Sequence, residues 1–133
     1  MSSLGQLMNR NPISVAPTAT VRAVAKKMKD ERVGSVLIKT RGAYVGIVTD
    51  TDVVRKVVAM GKDPAKLAVE KIMTKPVATI EHVHSAQDAH DMMGDLGVRH
   101  LGVTKGGEIV GVISVRDLLK YFQRISEPKI TQD

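Results

Sequence analysis

At 133 residues, with 43% hydrophobic and 26% charged side chains, the chain is long enough to bury one ordinary core and too apolar to be disordered throughout. It contains no cysteine, which excludes disulfides, thiolate metal sites and cysteine nucleophiles. The formal net charge of +6 favours anionic partners in general, but the basic residues are scattered and only Tyr44, Tyr121 and Phe122 offer stacking surfaces, so nucleic acid is not the expected ligand.

The start of the chain has no apolar leader core, and the longest apolar runs, such as Tyr44 to Val48, fall far short of a bilayer. A cytoplasmic protein without membrane insertion is expected. In chain order, the stretch Ile13 to Val15 follows Pro12, and its brevity and β-branched content predict a strand. Val21, Val24, Ala25 and Met28 then fall at i, i+3, i+4 and i+7, predicting an amphipathic helix with Lys26, Lys27 and Lys29 on its other face. Two strands follow, Val33 to Lys39 and Tyr44 to Thr49, joined by a hairpin turn at Arg41-Gly42. A second helix carries Val53, Val54 and Val57. Gly61 ends it, and Asp63-Pro64 opens a short helix reaching Ile72.

From there the order recurs. Val77 to Ile80 reads as a strand, Ala86, Ala89 and Met93 as a helical stripe, and Val98 to Thr104 with Glu108 to Ser114 as a hairpin through Lys105-Gly106-Gly107. The closing helix carries Leu118, Leu119 and Phe122. The recurrence holds residue by residue: Gly46-Ile47-Val48-Thr49-Asp50-Thr51-Asp52 aligns with Gly111-Val112-Ile113-Ser114-Val115-Arg116-Asp117, 65 positions on. The same offset pairs Met8 with Met73, Met28 with Met93 and Gly42 with Gly107, while Pro12 and Pro76 reveal one added residue between Pro76 and Ala86. The expected fold is mixed α/β, two tandem β-α-β-β-α motifs. Residues 4–60 form the first motif, 61–72 a linker with a short helix, 73–124 the second motif and 125–133 a tail, all in one module spanning 1–133.

The pattern resembles the CBS-domain family, in which two motifs pair into a Bateman module. The resemblance rests on the Met-x-x-x-Pro opening at Met8 to Pro12, the Gly-apolar-apolar-Thr/Ser-x-x-Asp signature in both copies, and Val98-Arg99-His100-Leu101, and it runs from about Leu4 to Phe122. It implies packing with pseudo-twofold symmetry, clefts between the repeats that take adenosine derivatives, a homodimer, and control of another protein. With nothing else attached, that partner is expected to act in trans. Gly102 departs from the family, where proline is common.

The chemical centre is the corner where a strand ends and a helix begins, because helix N-terminal amides favour anions. Thr49 and Ser114 sit at these corners, and Asp52 and Asp117 follow one turn later. The resemblance implies that the two aspartates hold ribose while Thr49 and Ser114 contact ribose or phosphate. A structural reading stands beside it: Thr-x-x-Asp is close to a capping box. The resemblance also makes Arg99 and His100 phosphate contacts, with Gly34 and Ser35 at those positions in the first copy. Ile13 with Ser14, and Val77 with Ala78, would wall the adenine. Thr51 and Arg116, like Arg55 and Lys120, belong to a polar helix face whose role at the ligand is secondary. His82, His84 and His90, with Asp88 and Asp91 nearby, do not by spacing fix three metal ligands, and solvated loop residues are expected there.

No nucleophile elbow, metal constellation or phosphate loop of the Gly-x-x-x-x-Gly-Lys type is present, so no enzyme and no catalytic cofactor are expected. The leading reading is a regulatory sensor for AMP, ADP or ATP. A ligand-free interaction or structural module is the alternative, ahead of an S-adenosylmethionine-binding or nucleic-acid-binding module.

Overall fold

A computed structural model of the chain describes residues 3–126, which leaves all but Ile125 and Ser126 of the expected tail outside the described residues. The elements follow as α1 (Leu4–Leu7), β1 (Ser14–Val15), α2 (Val21–Glu31), β2 (Ser35–Thr40), β3 (Ala43–Thr49) and α3 (Asp50–Val53), which continues into a π-helical turn over Val54–Val58. After a 3₁₀ turn at Val69–Lys71 come β4 (Thr79–Glu81), α4 (Ala86–Leu96), β5 (His100–Lys105), β6 (Glu108–Ser114) and α5 (Val115–Ser126). Two three-stranded sheets result, ordered β1-β2-β3 and β4-β5-β6, each with a parallel first pair and an antiparallel second pair. Even the ladder irregularities repeat, at Ile38/Lys39 and again at Val103/Thr104.

Local chemistry accounts for the element ends. Thr20 Oγ1 accepts from the Ala23 amide at the start of α2, and Ser85 with Asp88 forms a full capping box on α4. Arg32 and Gly97 end those helices in the left-handed conformation. The hairpin turn Gly106-Gly107 has φ of 61° and 83°, the pair of positive angles that a tight two-residue turn requires. The short helix expected from Asp63 is not formed. Asp63 instead accepts from the Ala65 amide in a local turn, and Ala68 bridges to Thr20, which draws the backbone out of helical geometry until Val69.

The chain divides into two compact units, residues 12–77 and residues 3–11 with 78–126. In the first, Val21, Val24 and Met28 of α2 pack with Val36, Ile38, Val48, Val57, Val69 and Ile72. In the second, Leu4 joins Ala86, Ala89 and Met93 of α4 with Leu101, Val103, Ile113, Leu118 and Tyr121. The opening segment of each repeat therefore packs in the unit formed by the body of the other. Asn9 exchanges two backbone hydrogen bonds with Val112, of 2.8 and 3.0 Å, and Thr74 does the same with Ile47. This explains a glycine in each signature. A Cβ on Gly111 would lie 2.7 Å from the Asn9 carbonyl and 2.5 Å from Met8 Sδ; one on Gly46 would lie 2.6 Å from Met73 Sδ. The methionine and glycine signatures are two sides of one contact.

Candidate functional site

Each unit brings one set of the expected site residues to one end of its sheet. In the unit of residues 12–77, Thr49 closes β3 opposite Ser35, and the Asp50 amide donates to the Gly34 carbonyl at 3.0 Å. The Ile13 carbonyl accepts from the Leu37 amide, so Ile13 and Ser14 enter the sheet about two residues along β2 from that corner. Thr51 and Asp52 lie in the first turn of α3.

In the second unit Ser114 closes β6 opposite His100, and the Val115 amide donates to the Arg99 carbonyl at 2.8 Å. Arg99 is exposed and His100 half-buried at the mouth of β5. Arg116 and Asp117 occupy the first turn of α5. The Ala78 carbonyl accepts from the Gly102 amide, which makes Ala78, followed by Thr79, the structural counterpart of Ile13 and Ser14. Asn9 and Thr74 are equivalent, as are Ile13 and Ala78, and three residues separate them in each copy, so the added residue expected from the prolines is absent. The proline alone is displaced, and the buried Val77 stands at the position of Pro12. Glycine at position 102 leaves that strand paired normally on both sides.

The corner geometry is that of a capping box in both copies. Thr49 Oγ1 accepts from the Asp52 amide at 3.2 Å, and Asp52 Oδ2 accepts from the Thr49 amide at 2.9 Å. Ser114 Oγ accepts from the Asp117 amide at 3.2 Å, while Asp117 Oδ2 accepts from the Ser114 amide at 2.9 Å and from its hydroxyl at 3.0 Å. The structural reading of the motif is therefore realised, and it fixes each carboxylate with one oxygen turned inward. A carboxylate can accept about four hydrogen bonds, so a cap leaves acceptor capacity for a second partner. In the first copy that capacity meets Lys56, whose Nζ lies 3.1 Å from Asp52 Oδ1 and donates to the Ile72 carbonyl at 3.0 Å. Sequence reasoning passed over Lys56, although Asp-x-x-x-Lys at i,i+4 on a helix is a legible ion-pair spacing.

The histidines do not converge. His82 Nδ1 lies 3.2 Å from the Thr104 carbonyl, His84 Nδ1 lies 3.0 Å from Asp88 Oδ2, and His90 stands edge-on to Phe122. Among the described residues no group of three His, Asp or Glu could hold a metal. The bond from His84, and then the Ser85 amide, hold the Asp88 carboxyl below its ordinary pKa. Among the same residues no helix is long and apolar enough to cross a membrane.

The profile of the CBS domain family matches residues 4–59 and again residues 69–124. The chain belongs to the CBS domain family. Its CBS domains are 34% identical over 120 residues to a protein of Methanopyrus kandleri, covering 89% of this chain and 61% of that protein, so the chain spans less than two thirds of this relative. A protein with CBS domains from Burkholderia ambifaria has the same fold, with a TM-score of 0.89 at 29% identity over 99% of this chain and all of that one. A CBS domain protein from Pyrobaculum aerophilum, solved in complex with AMP, matches at a TM-score of 0.77 and 32% identity over 86% of this chain and 88% of that one. Tandem CBS motifs in a mixed α/β fold, expected from the repeat, are what the chain forms.

Proposed function

We propose that this CBS pair is a non-catalytic regulatory module that binds an adenine nucleotide at its strand-to-helix corners and passes the bound state to a partner protein in trans. The observation that carries the reading is the corner itself: a carboxylate fixed by its cap, with acceptor capacity left for a ribose diol, beside the first residues of a neighbouring strand. The complex of the Pyrobaculum aerophilum relative with AMP supports the ligand class. Asp52 and Asp117 are the ribose acceptors in this reading, Arg99 and His100 the phosphate contacts, and Ile13, Ser14, Val77 and Ala78 the adenine wall. Self-association as a homodimer is part of the proposal. It is supported by Val54, Val58, Leu119 and Ile125, large apolar side chains that α5 and the π-helical turn after α3 leave exposed. Signalling then follows from linkage: the nucleotide shifts the module only as far as it prefers one arrangement over another.

One observation favours a second reading. The capping boxes alone account for Thr49, Asp52, Ser114 and Asp117, which suits an interaction module without a ligand. Thermal unfolding with AMP, ADP, ATP, S-adenosylmethionine and a guanine-nucleotide control separates the two. A ligand at about a hundred times its dissociation constant adds about 2.7 kcal/mol, a rise of several degrees for a domain of this size. The rise is expected with adenine ligands and not in the variant carrying both Asp52→Ala and Asp117→Ala, measured against that variant's own ligand-free midpoint. No rise with any adenine ligand in the unaltered chain would favour the interaction module.

A further inference from the structure

We infer that Lys56 is a built-in counter-ion that closes the Asp52 corner, so that the nucleotide is taken up at the Asp117 corner alone. This rests on the nucleotide-binding reading above and adds which of two repeated corners is used. At the first corner both carboxylate oxygens already have partners within the chain: Oδ2 accepts from the Thr49 amide and Oδ1 lies 3.1 Å from Lys56 Nζ. The ammonium is itself tied down by the Ile72 carbonyl at 3.0 Å, and the Asp52 side chain is only 14% exposed. A ribose would have to displace this arrangement. At the second corner the position equivalent to Lys56 is Tyr121, which is buried. Asp117 is held through Oδ2 by Ser114, and among the described residues no cation pairs with it.

The backbone explains how a lysine comes to stand there. In α5 an ordinary helix carries Leu118 and Tyr121 into the core. In α3 a charged residue occupies the position of Tyr121, and the helix widens: the Ala59 amide donates to the Val54 carbonyl and the Lys62 amide to the Val57 carbonyl, each across five residues. The added width lets Val57 fill the core, with no exposure, and leaves Lys56 on the side of Asp52. The surrounding charge divides the same way. Asp50 stands where the second copy has Val115, and Gly34 and Ser35 stand where it has Arg99 and His100. The first corner therefore offers a second carboxylate and one lysine already paired. The second has a single carboxylate there, with Val115 in place of Asp50. A ribose diol needs a carboxylate oxygen without a partner among the described residues, which Asp117 Oδ1 provides and Asp52 Oδ1 does not.

The test is calorimetric titration of AMP into the full chain. One molecule per chain is expected, with affinity weakened at least tenfold by Asp117→Asn. Lys56→Met, which keeps the apolar stem and removes the charge, should raise the stoichiometry to two. Lys56→Tyr, which copies position 121, provides the same test by a second route. Adding Asp52→Asn to either variant should return it to one, and adding Asp117→Asn should leave the Asp52 site alone. Two molecules bound by the unaltered chain, or one bound by both Lys56 variants, would overturn the inference and leave the nucleotide reading standing. No uptake of AMP by the unaltered chain would overturn both.

Discussion

Gly46 and Gly111 occupy matching strand positions, where alanine would ordinarily be the better residue because it has less backbone freedom to lose. Here a Cβ meets the opening segment of the other repeat. At Gly111 the obstacles include a backbone carbonyl, that of Asn9, at 2.7 Å; at Gly46 the one atom nearer than 3.0 Å is Met73 Sδ, the mobile part of a flexible side chain. Gly111→Ala should therefore cost about 1–3 kcal/mol, and Gly46→Ala less. Urea denaturation of the two variants checks the order, and equal costs would mean that the Asn9 segment yields as easily as a methionine. Asp88 gives a pH prediction. Its pKa is lowered chiefly by the hydrogen bond with His84, then by the Ser85 amide. A carboxylate depressed in the folded state stabilises it fully above the unfolded-state pKa, and that contribution fades as pH falls through the depressed value. The difference in thermal midpoint between the unaltered chain and Asp88→Asn should thus shrink from about pH 6 to about pH 3. A difference constant over that range would show that the charge does not contribute to the α4 cap.

At the scale of elements, apolar residues adjacent in sequence part company. Leu118 is fully enclosed in its core, whereas Leu119 is 59% exposed, because neighbours on a helix point about 100° apart. Leu118→Ala should cost about 2–5 kcal/mol, and Leu119→Ala about 0.5 kcal/mol or less in the monomer. Chemical denaturation at low protein concentration measures both, and a large cost at Leu119 would indicate that its face is covered in solution. Val54, 58% exposed, and Val57, enclosed, are three apart and would share a face on a regular helix; the π-helical turn changes which residue faces inward. Periodicity in the sequence assumes a regular helix. It could locate the second helix of each repeat without revealing that one of them widens.

Across the whole molecule, the opening segment of each repeat is built into the unit of the other. Leu4, in a helix of one turn that no propensity would sustain alone, has no exposure and packs in the core with Leu101, Ile113 and Leu118. Leu4→Ala should cost about 2–5 kcal/mol. Its effect should be distant in sequence: amide exchange is expected to accelerate in β5 and β6 before it does in β2 and β3, which follow Leu4 in the chain. Hydrogen exchange resolved by segment reads this directly. Uniform acceleration would mean that the two units unfold together.

The sequence by itself determined the duplicated fold, because a repeat of 65 positions, alternating strands and one amphipathic helix stripe are each legible from residue spacing. It also marked Thr49, Asp52, Ser114 and Asp117, since Thr/Ser-x-x-Asp at a strand-to-helix junction is close to a capping box, to which the family resemblance adds a ligand role. What it left open were matters of contact between residues distant in the chain. Only the tertiary structure decided that Met8 meets Gly111 while Met73 meets Gly46, because an exchange between two similar halves leaves the pattern within each half unchanged. Only the structure decided that no residue is added beside Pro76 and that Val77 stands where the first copy has Pro12, since hydrogen-bond register, and not residue identity, fixes which carbonyl faces Gly102. The difference between the two corners was decided there too: the Asp52–Lys56 spacing is visible in the chain, but the Ile72 carbonyl that anchors the lysine comes from 16 residues away.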